Sequence, residues 1–254
     1  MTGELDALRA EIAEGCRVLA ARRLAPGILG HISLRVDHDR LLVRCRGPRE
    51  SGLADTTEAD IRLVDLDGGP GAPGELDGGY TPPYELPLHT QLLRRRPDVT
   101  CVVHAHPRDV VAADLAGLPI LPLIGAFDIP GATLAAAGVP VYSRSVLVRD
   151  AVLGDEVADA LGDRPVVVMR GHGLTSTGSS VPEAVLRAES VHTIATLSLA
   201  ITASGGSLRP IEPRDLAELP DLGGGLNLEA AWRHELARLD RATEPNPLLS
   251  RNSF

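Results

Sequence analysis

Short Val-, Leu- and Ile-rich runs of strand length alternate along this chain with segments whose apolar residues recur at helical spacing, and that interleaving leaves few architectures open. Residues 99–106, Val166–Met169 and 61–65 read as strands, and Val139–Tyr142 as a short one. Residues 85–96, 109–116 and 150–161 read as helices between them. Leu5, Leu8, Ile12, Cys16 and Leu19 mark an amphipathic helix over about 3–24, stopped by Pro26-Gly27. His31–Val36 and Leu41–Arg46 alternate like paired strands around Asp37–Arg40. Gly68–Gly79, with six glycines and two prolines, reads as a surface loop. Ser180-Val181-Pro182-Glu183 is a capping box that opens a long helix to about Ser204, and a last helix covers about 226–239. The early hairpin argues against an all-parallel sheet. The expected fold is therefore α/β: one domain over 1–243, a mixed central sheet flanked by helices, with 244–254 as a mobile tail. Aromatic residues make up only 2%, so Leu, Val, Ile and Ala must build the core.

Charge and composition exclude several functions. A net charge of -9 argues against nucleic acid or an anionic membrane as partner. No apolar stretch reads as a membrane span, and the acidic N-terminus lacks the layout of a secretory signal. Cys16, Cys45 and Cys101 have no motif spacing, which suits a reduced cytoplasm. All 25 basic residues are arginine. Without lysine there is no Schiff-base chemistry, no tethered pyridoxal phosphate and no Walker-type phosphate loop.

The chemistry-bearing residues cluster at strand ends. Side chains alternate along a strand, so His104 and His106 point to one face, roughly 6.6 Å apart along the chain. Two imidazoles at that spacing can converge on one ion, and Pro107 ends the strand there. Gly171-His172-Gly173 follows a second apolar strand and offers a third imidazole. Three histidines from two strand ends make a three-ligand site with an open fourth position, the layout of a catalytic metal. Glu85 begins the helix leading into the His-x-His strand, either as a resting ligand at that open position or as the acid/base. His89, one turn on, either orients Glu85 or caps a surface. His192 reads as a satisfied core or interface histidine, Arg94-Arg95-Arg96 as complements to a helix dipole, and Asp128 and Tyr142 as site residues by position only.

Taken together, Gly30-His31-Ile32-Ser33, Glu85-Leu86-Pro87-Leu88-His89, Arg96-Pro97-Asp98 through His104-Ala105-His106, and Gly171-His172-Gly173-Leu174 resemble the class II aldolase/adducin family over residues 4–204. The resemblance implies an αβα fold with a mixed sheet and a tetramer with sites between subunits. It implies His104, His106 and His172 as ligands of one divalent ion, zinc first and manganese, cobalt or iron as rivals, with Glu85 as acid/base. The sugar-phosphate aldolases of the family have Gly-Asn at Gly30-His31, Thr-Gly where Arg46-Gly47-Pro48-Arg49 stands, and a Ser pair at Pro83-Tyr84. Their intersubunit tyrosine, near Leu121–Ile124, is missing here. Histidine, arginines and an aromatic thus replace a phosphate site, and a planar guanidinium suits a carboxylate. His31, Arg46, Arg49 and Tyr84 are the expected substrate contacts.

The altered pattern is similar to the decarboxylase branch of the family, which acts on hydroxylated aromatic or pyridine dicarboxylates such as dihydroxyphthalate. The expected activity is metal-dependent carbon–carbon lysis by decarboxylation of a small carboxylate. An aldolase on an acidic or unphosphorylated substrate or a sugar phosphate, a metal-dependent oxygenase, and a non-catalytic adducin-like binding domain stand as rivals.

Overall fold

Strand alternation decides what each face of the sheet carries. The computed structural model describes residues 2–222 and 225–243, so the expected tail at 244–254 lies outside the described residues. Strand β1 (His31–Arg35) pairs antiparallel with β2 (Arg40–Arg44), and β2 with β3 (Ile61–Asp65). On its other side β1 pairs antiparallel with β4 (Cys101–Ala105), which pairs with β7 (Gly173–Gly178), and β7 with β6 (Val166–Met169). A parallel partner, β5 (Val141–Tyr142), closes the seven-stranded order β3-β2-β1-β4-β7-β6-β5. The sheet is mixed, as the hairpin implied.

Helices cover both faces. Ile32, Leu34, Cys101, Val103, Val166, Val168 and Leu174 share one core with Ile12 and Leu19 of α1 (Thr2–Ala21) and Ala184 and Val191 of α6 (Val181–Ala203). Val110 of α3 (Arg108–Leu115), Leu134 of α4 (Ile129–Ala137) and Trp232 of α8 (Gly225–Thr243) join the same core. The opposite residues, Leu41, Val43, Val102, Val167 and Met169, pack on Leu88 and Leu92 of α2 (Leu86–Arg95) and Leu153 and Val157 of α5 (Ala151–Leu161). A short α7 (Pro213–Ala217) precedes α8.

Local chemistry explains where the elements depart from expectation. Helix α1 stops at Ala21, before Pro26-Gly27, because Arg23 turns left-handed (φ 59°). Arg23 N–H then donates to Ala20 O at 2.9 Å and Leu24 N–H to Leu19 O at 2.8 Å, a Schellman closure. Helix α4 was not expected; Asp128 caps it by accepting the Gly131 N–H at 3.0 Å, with Pro130 in the first turn. Asp128 is thus a cap. Strand β7 was also unexpected, being polar, yet all six residues are buried. Its hydroxyls find partners: Ser176 Oγ donates to Ala184 O at 2.8 Å and Thr177 Oγ1 to Pro165 O at 3.0 Å. Arg94, Arg95 and Arg96 do more than meet a dipole, pairing with Asp67, Asp159 and Asp98. Helix α6 is long and apolar enough, by length and composition, to cross a membrane, which corrects the expectation that no such stretch exists. Its Ala184, Val185, Ala188, Val191, Ile194 and Ala195 are nevertheless spent on the sheet, as in a core helix.

Helices α2 and α5 touch at Gly154, where an added Cβ would lie 2.6 Å from Pro87 O and 2.8 Å from Gln91 Cγ. Gly154→Ala should therefore lower stability by about 1–3 kcal/mol. Thermal denaturation should show it as a drop of roughly 2–4 °C per kcal/mol; an unchanged midpoint would mean that the helices part without cost.

Candidate metal centre

The centre grows from the middle of the sheet. His104 is fully buried and lies opposite Thr175 of β7. Its Nδ1 stands 3.0 Å from Leu174 O and 3.3 Å from Thr175 Oγ1. A carbonyl only accepts, so Nδ1 carries the hydrogen and Nε2 is left with its lone pair pointing away from the strand. His106 lies one residue beyond β4, and its Nε2 comes within 2.8 Å of His104 Nε2. His172 sits in the turn between β6 and β7, with ring centroids 4.9 Å from His104 and 4.8 Å from His106.

Different constraints fix the two glycines around His172. Gly171 is left-handed (φ 60°), and its N–H donates to Asp114 Oδ2 at 2.8 Å, while Asp114 Oδ1 holds Arg170 Nε at 3.0 Å. At Gly173 a Cβ would lie 2.2 Å from Ala105 O, so only glycine lets β7 begin against the end of β4. Asp114 had no signal in the sequence beyond an acid in an ordinary helix.

Glu85 is the N-cap residue of α2 and is buried. Its Oε1 accepts the Val148 N–H at 3.1 Å, which turns Oε2 to 3.4 Å from His104 Nε2 and 3.6 Å from His172 Nε2. Burial, then the neighbouring His104 and His172, lowers the His106 imidazole to about 3.

One atom from each of Glu85, His104, His106 and His172 lies within 4.8 Å of the others. A tetrahedral ion with bonds of about 2.0–2.2 Å has ligand–ligand edges of roughly 3.3–3.6 Å. The Glu85 separations from His104 and His172, 3.4 and 3.6 Å, fall in that range, and the His104–His106 separation, 2.8 Å, is shorter than it. Three imidazole nitrogens, that of His104 backed by the Leu174 carbonyl, plus one carboxylate are the donor set of borderline divalent ions such as zinc. The residues fit the expected metal.

The expected substrate residues are placed less uniformly. His31 lies opposite His104 in the β1–β4 register, ring centroids 5.1 Å apart. His89 neither orients Glu85 nor caps a surface: it is fully buried between His31 and Ser33. Arg46 is half-buried, its backbone tied both ways to Thr81 at 2.9 Å, four residues before Glu85. Arg49 and Tyr84 are exposed. Among the described residues no hydrogen bond or ion pair joins the side chains of Arg46, Arg49 or Tyr84 to the four converging groups. The arginine turned inward is Arg44, held by Thr56 Oγ1 at 3.0 Å and Glu50 at 2.5 Å. Tyr142 donates to Glu156 at 2.7 Å, away from the cluster. His192 is half-buried, with its Nδ1 buried and unpartnered.

Known proteins arrange themselves around the same features. Residues 10–199 match the model for the class II aldolase and adducin N-terminal domain. A 3,4-dihydroxyphthalate decarboxylase of Arthrobacter keyseri is 65% identical over 92% of this chain and 94% of its own. A protein of the same description from Terrabacter sp. (strain DBF63) is 63% identical over 94% of this chain and 100% of its own. An aldolase II superfamily protein from Pseudomonas syringae superposes with a TM-score of 0.78 over 94% of each chain at 21% identity, a likeness of fold alone. With three quarters of its length inside that model, the strand-end histidines included, the chain belongs to the class II aldolase and adducin N-terminal domain family.

Proposed function

We propose that this chain is a metal-dependent carboxy-lyase that removes carbon dioxide from a hydroxylated aromatic dicarboxylate of the dihydroxyphthalate type. The observation that carries the reading is the convergence of Glu85, His104, His106 and His172 within 4.8 Å, in a chain 65% identical to a decarboxylase along nearly its whole length. A divalent ion held by the three histidines, zinc first with manganese, cobalt or iron as rivals, would supply Lewis acidity toward the substrate's oxygens.

The chain's own groups supply the rest. The Val148 N–H holds one Glu85 oxygen, so the other faces the histidines in a fixed orientation. Glu85 accepts the proton of a substrate hydroxyl, and the ring–carboxyl bond breaks with its electron pair left on the ring. Glu85 then returns the proton to that carbon, so one carbon dioxide leaves and one C–H forms. In this reading Arg46 and Arg49, whose side chains have no ion-pair partner among the described residues, would anchor a carboxylate, with Tyr84 and the ligand-side His31 as further substrate contacts. A cytoplasmic setting belongs to the same reading, since Cys16, Cys45 and Cys101 are free and buried. So does a homotetramer, whose contacts would cover the exposed Leu115 and Phe127.

Glu85→Gln should cut turnover on the order of 10²–10⁴-fold while metal content, read by atomic emission, stays near that of the parent. His172→Ala should lose the metal itself. Full activity in the glutamine variant would remove Glu85 from the mechanism.

Dihydroxyphthalate-like acids should release carbon dioxide, and sugar phosphates should not be cleaved. At least one of Arg46→Ala and Arg49→Ala should weaken turnover about a hundredfold, as expected when a paired charge is stranded. Cleavage of a sugar phosphate with no carbon dioxide from any hydroxy acid would replace the decarboxylase reading with an aldolase one.

A further inference from the structure

Beside the converging groups runs a buried chain of three side chains. His31 and Ser33 are two residues apart on β1 and share the face that carries His104. His89 lies one turn past Glu85 on α2 and reaches down onto that face with no exposure. His89 Nε2 is 2.6 Å from His31 Nδ1, and His89 Nδ1 is 2.7 Å from Ser33 Oγ. Both ring nitrogens of His89 are thereby used.

The hydrogens in such a chain can run in only one satisfied direction. Ser33 is fully buried, and among the described residues its hydroxyl has no partner but His89. A hydroxyl brings one hydrogen, which must be donated or left unsatisfied in the interior. The hydrogen goes to His89 Nδ1, so His89 carries its own on Nε2 and donates it to His31 Nδ1. His31 is then left with its hydrogen on Nε2. Reversing the chain would strand the Ser33 hydrogen with no acceptor. A second hydrogen on His31 Nδ1 or on His89 Nδ1 would strand the Ser33 hydrogen in the same way, so both rings are neutral.

His31 Nε2 is the open end. It makes no hydrogen bond within the described residues, and it belongs to a residue that keeps 7% of its surface exposed, on a ring 5.1 Å from that of His104. We infer that His31 presents a fixed, neutral Nε2–H donor to an anionic oxygen of the substrate, with Ser33 and His89 as positioning residues. This rests on the carboxylate reading above. A neutral donor suits the place, because a cation there would repel an ion at the adjacent histidines. It also means that His31 holds the substrate and does not take its proton.

Histidine-labelled ¹⁵N spectra of the zinc-loaded protein test the chain without any substrate. At neutral pH His31, assigned by its loss in His31→Gln, should carry its proton on Nε2. Ser33→Ala should convert His31 and His89 to a mixture of tautomers. A resting Nδ1–H form or an imidazolium at His31 would overturn the inference, and the unsubstituted protein alone decides that point. With a dihydroxyphthalate-like acid, Ser33→Ala should raise KM about tenfold and change kcat less. His31→Gln, whose amide N–H can stand where Nε2–H stood, should retain more affinity than His31→Leu; equal KM values for those two would also overturn it. If no hydroxy acid releases carbon dioxide, the substrate reading falls, while the tautomer still decides whether Ser33 and His89 set His31.

Discussion

The pairing of β4 with strands on both sides is the constraint from which the site follows. On one side the ladder sets His31 opposite His104; on the other it sets Thr175 opposite His104 and Leu174 opposite Ala105. The first pairing brings a second imidazole to the same face, and the second brings a carbonyl against His104 Nδ1. A slip of one residue would turn His104 into the α1/α6 core and present an apolar side chain in its place. Face, neighbour and tautomer of His104 are consequences of one register.

That register is held by unequal faces. The α1/α6 side is mostly apolar where it meets the sheet, whereas the α2/α5 side gives up its centre to His31, Ser33, His89, His104 and Glu85. Polar groups inside a protein are unfavourable unless paired, and their pairing is correspondingly strong there. Ser33, His89 and His31 satisfy one another, Leu174 O takes the His104 hydrogen, and Val148 N–H holds Glu85. The groups left with free lone pairs are those that converge. Glycine closes the arrangement at Gly173, since any side chain there would drive the start of β7 away from Ala105 and displace His172 with it.

Much of this was legible before folding because the signals were periodic or punctuated. Val166–Met169 and Ile61–Asp65 appear with the bounds expected, since apolar runs and alternation are local properties. Other features left no such trace. Strand β7 was missed because Thr175, Ser176 and Thr177 look like a loop until their hydroxyls meet Met169, Ala184 and Pro165. The link from Ser33 through His89 to His31 spans residues 56–58 apart in sequence, and no spacing rule reaches so far.

The amino-acid sequence by itself determined the interleaved elements, the mixed sheet, the absence of lysine chemistry and the three histidines at strand ends beside a helix-capping glutamate. Those are properties of residue type and short-range spacing, which backbone periodicity converts directly into structure. Tertiary structure alone decided how closely Glu85 and His172 meet, and that Val148 and Asp114 hold the segments that carry them. It alone decided that His89 joins Ser33 to His31 instead of serving Glu85. These depend on which strands become neighbours and how closely helices pack, and that is settled by burial and hydrogen-bond satisfaction over the whole domain.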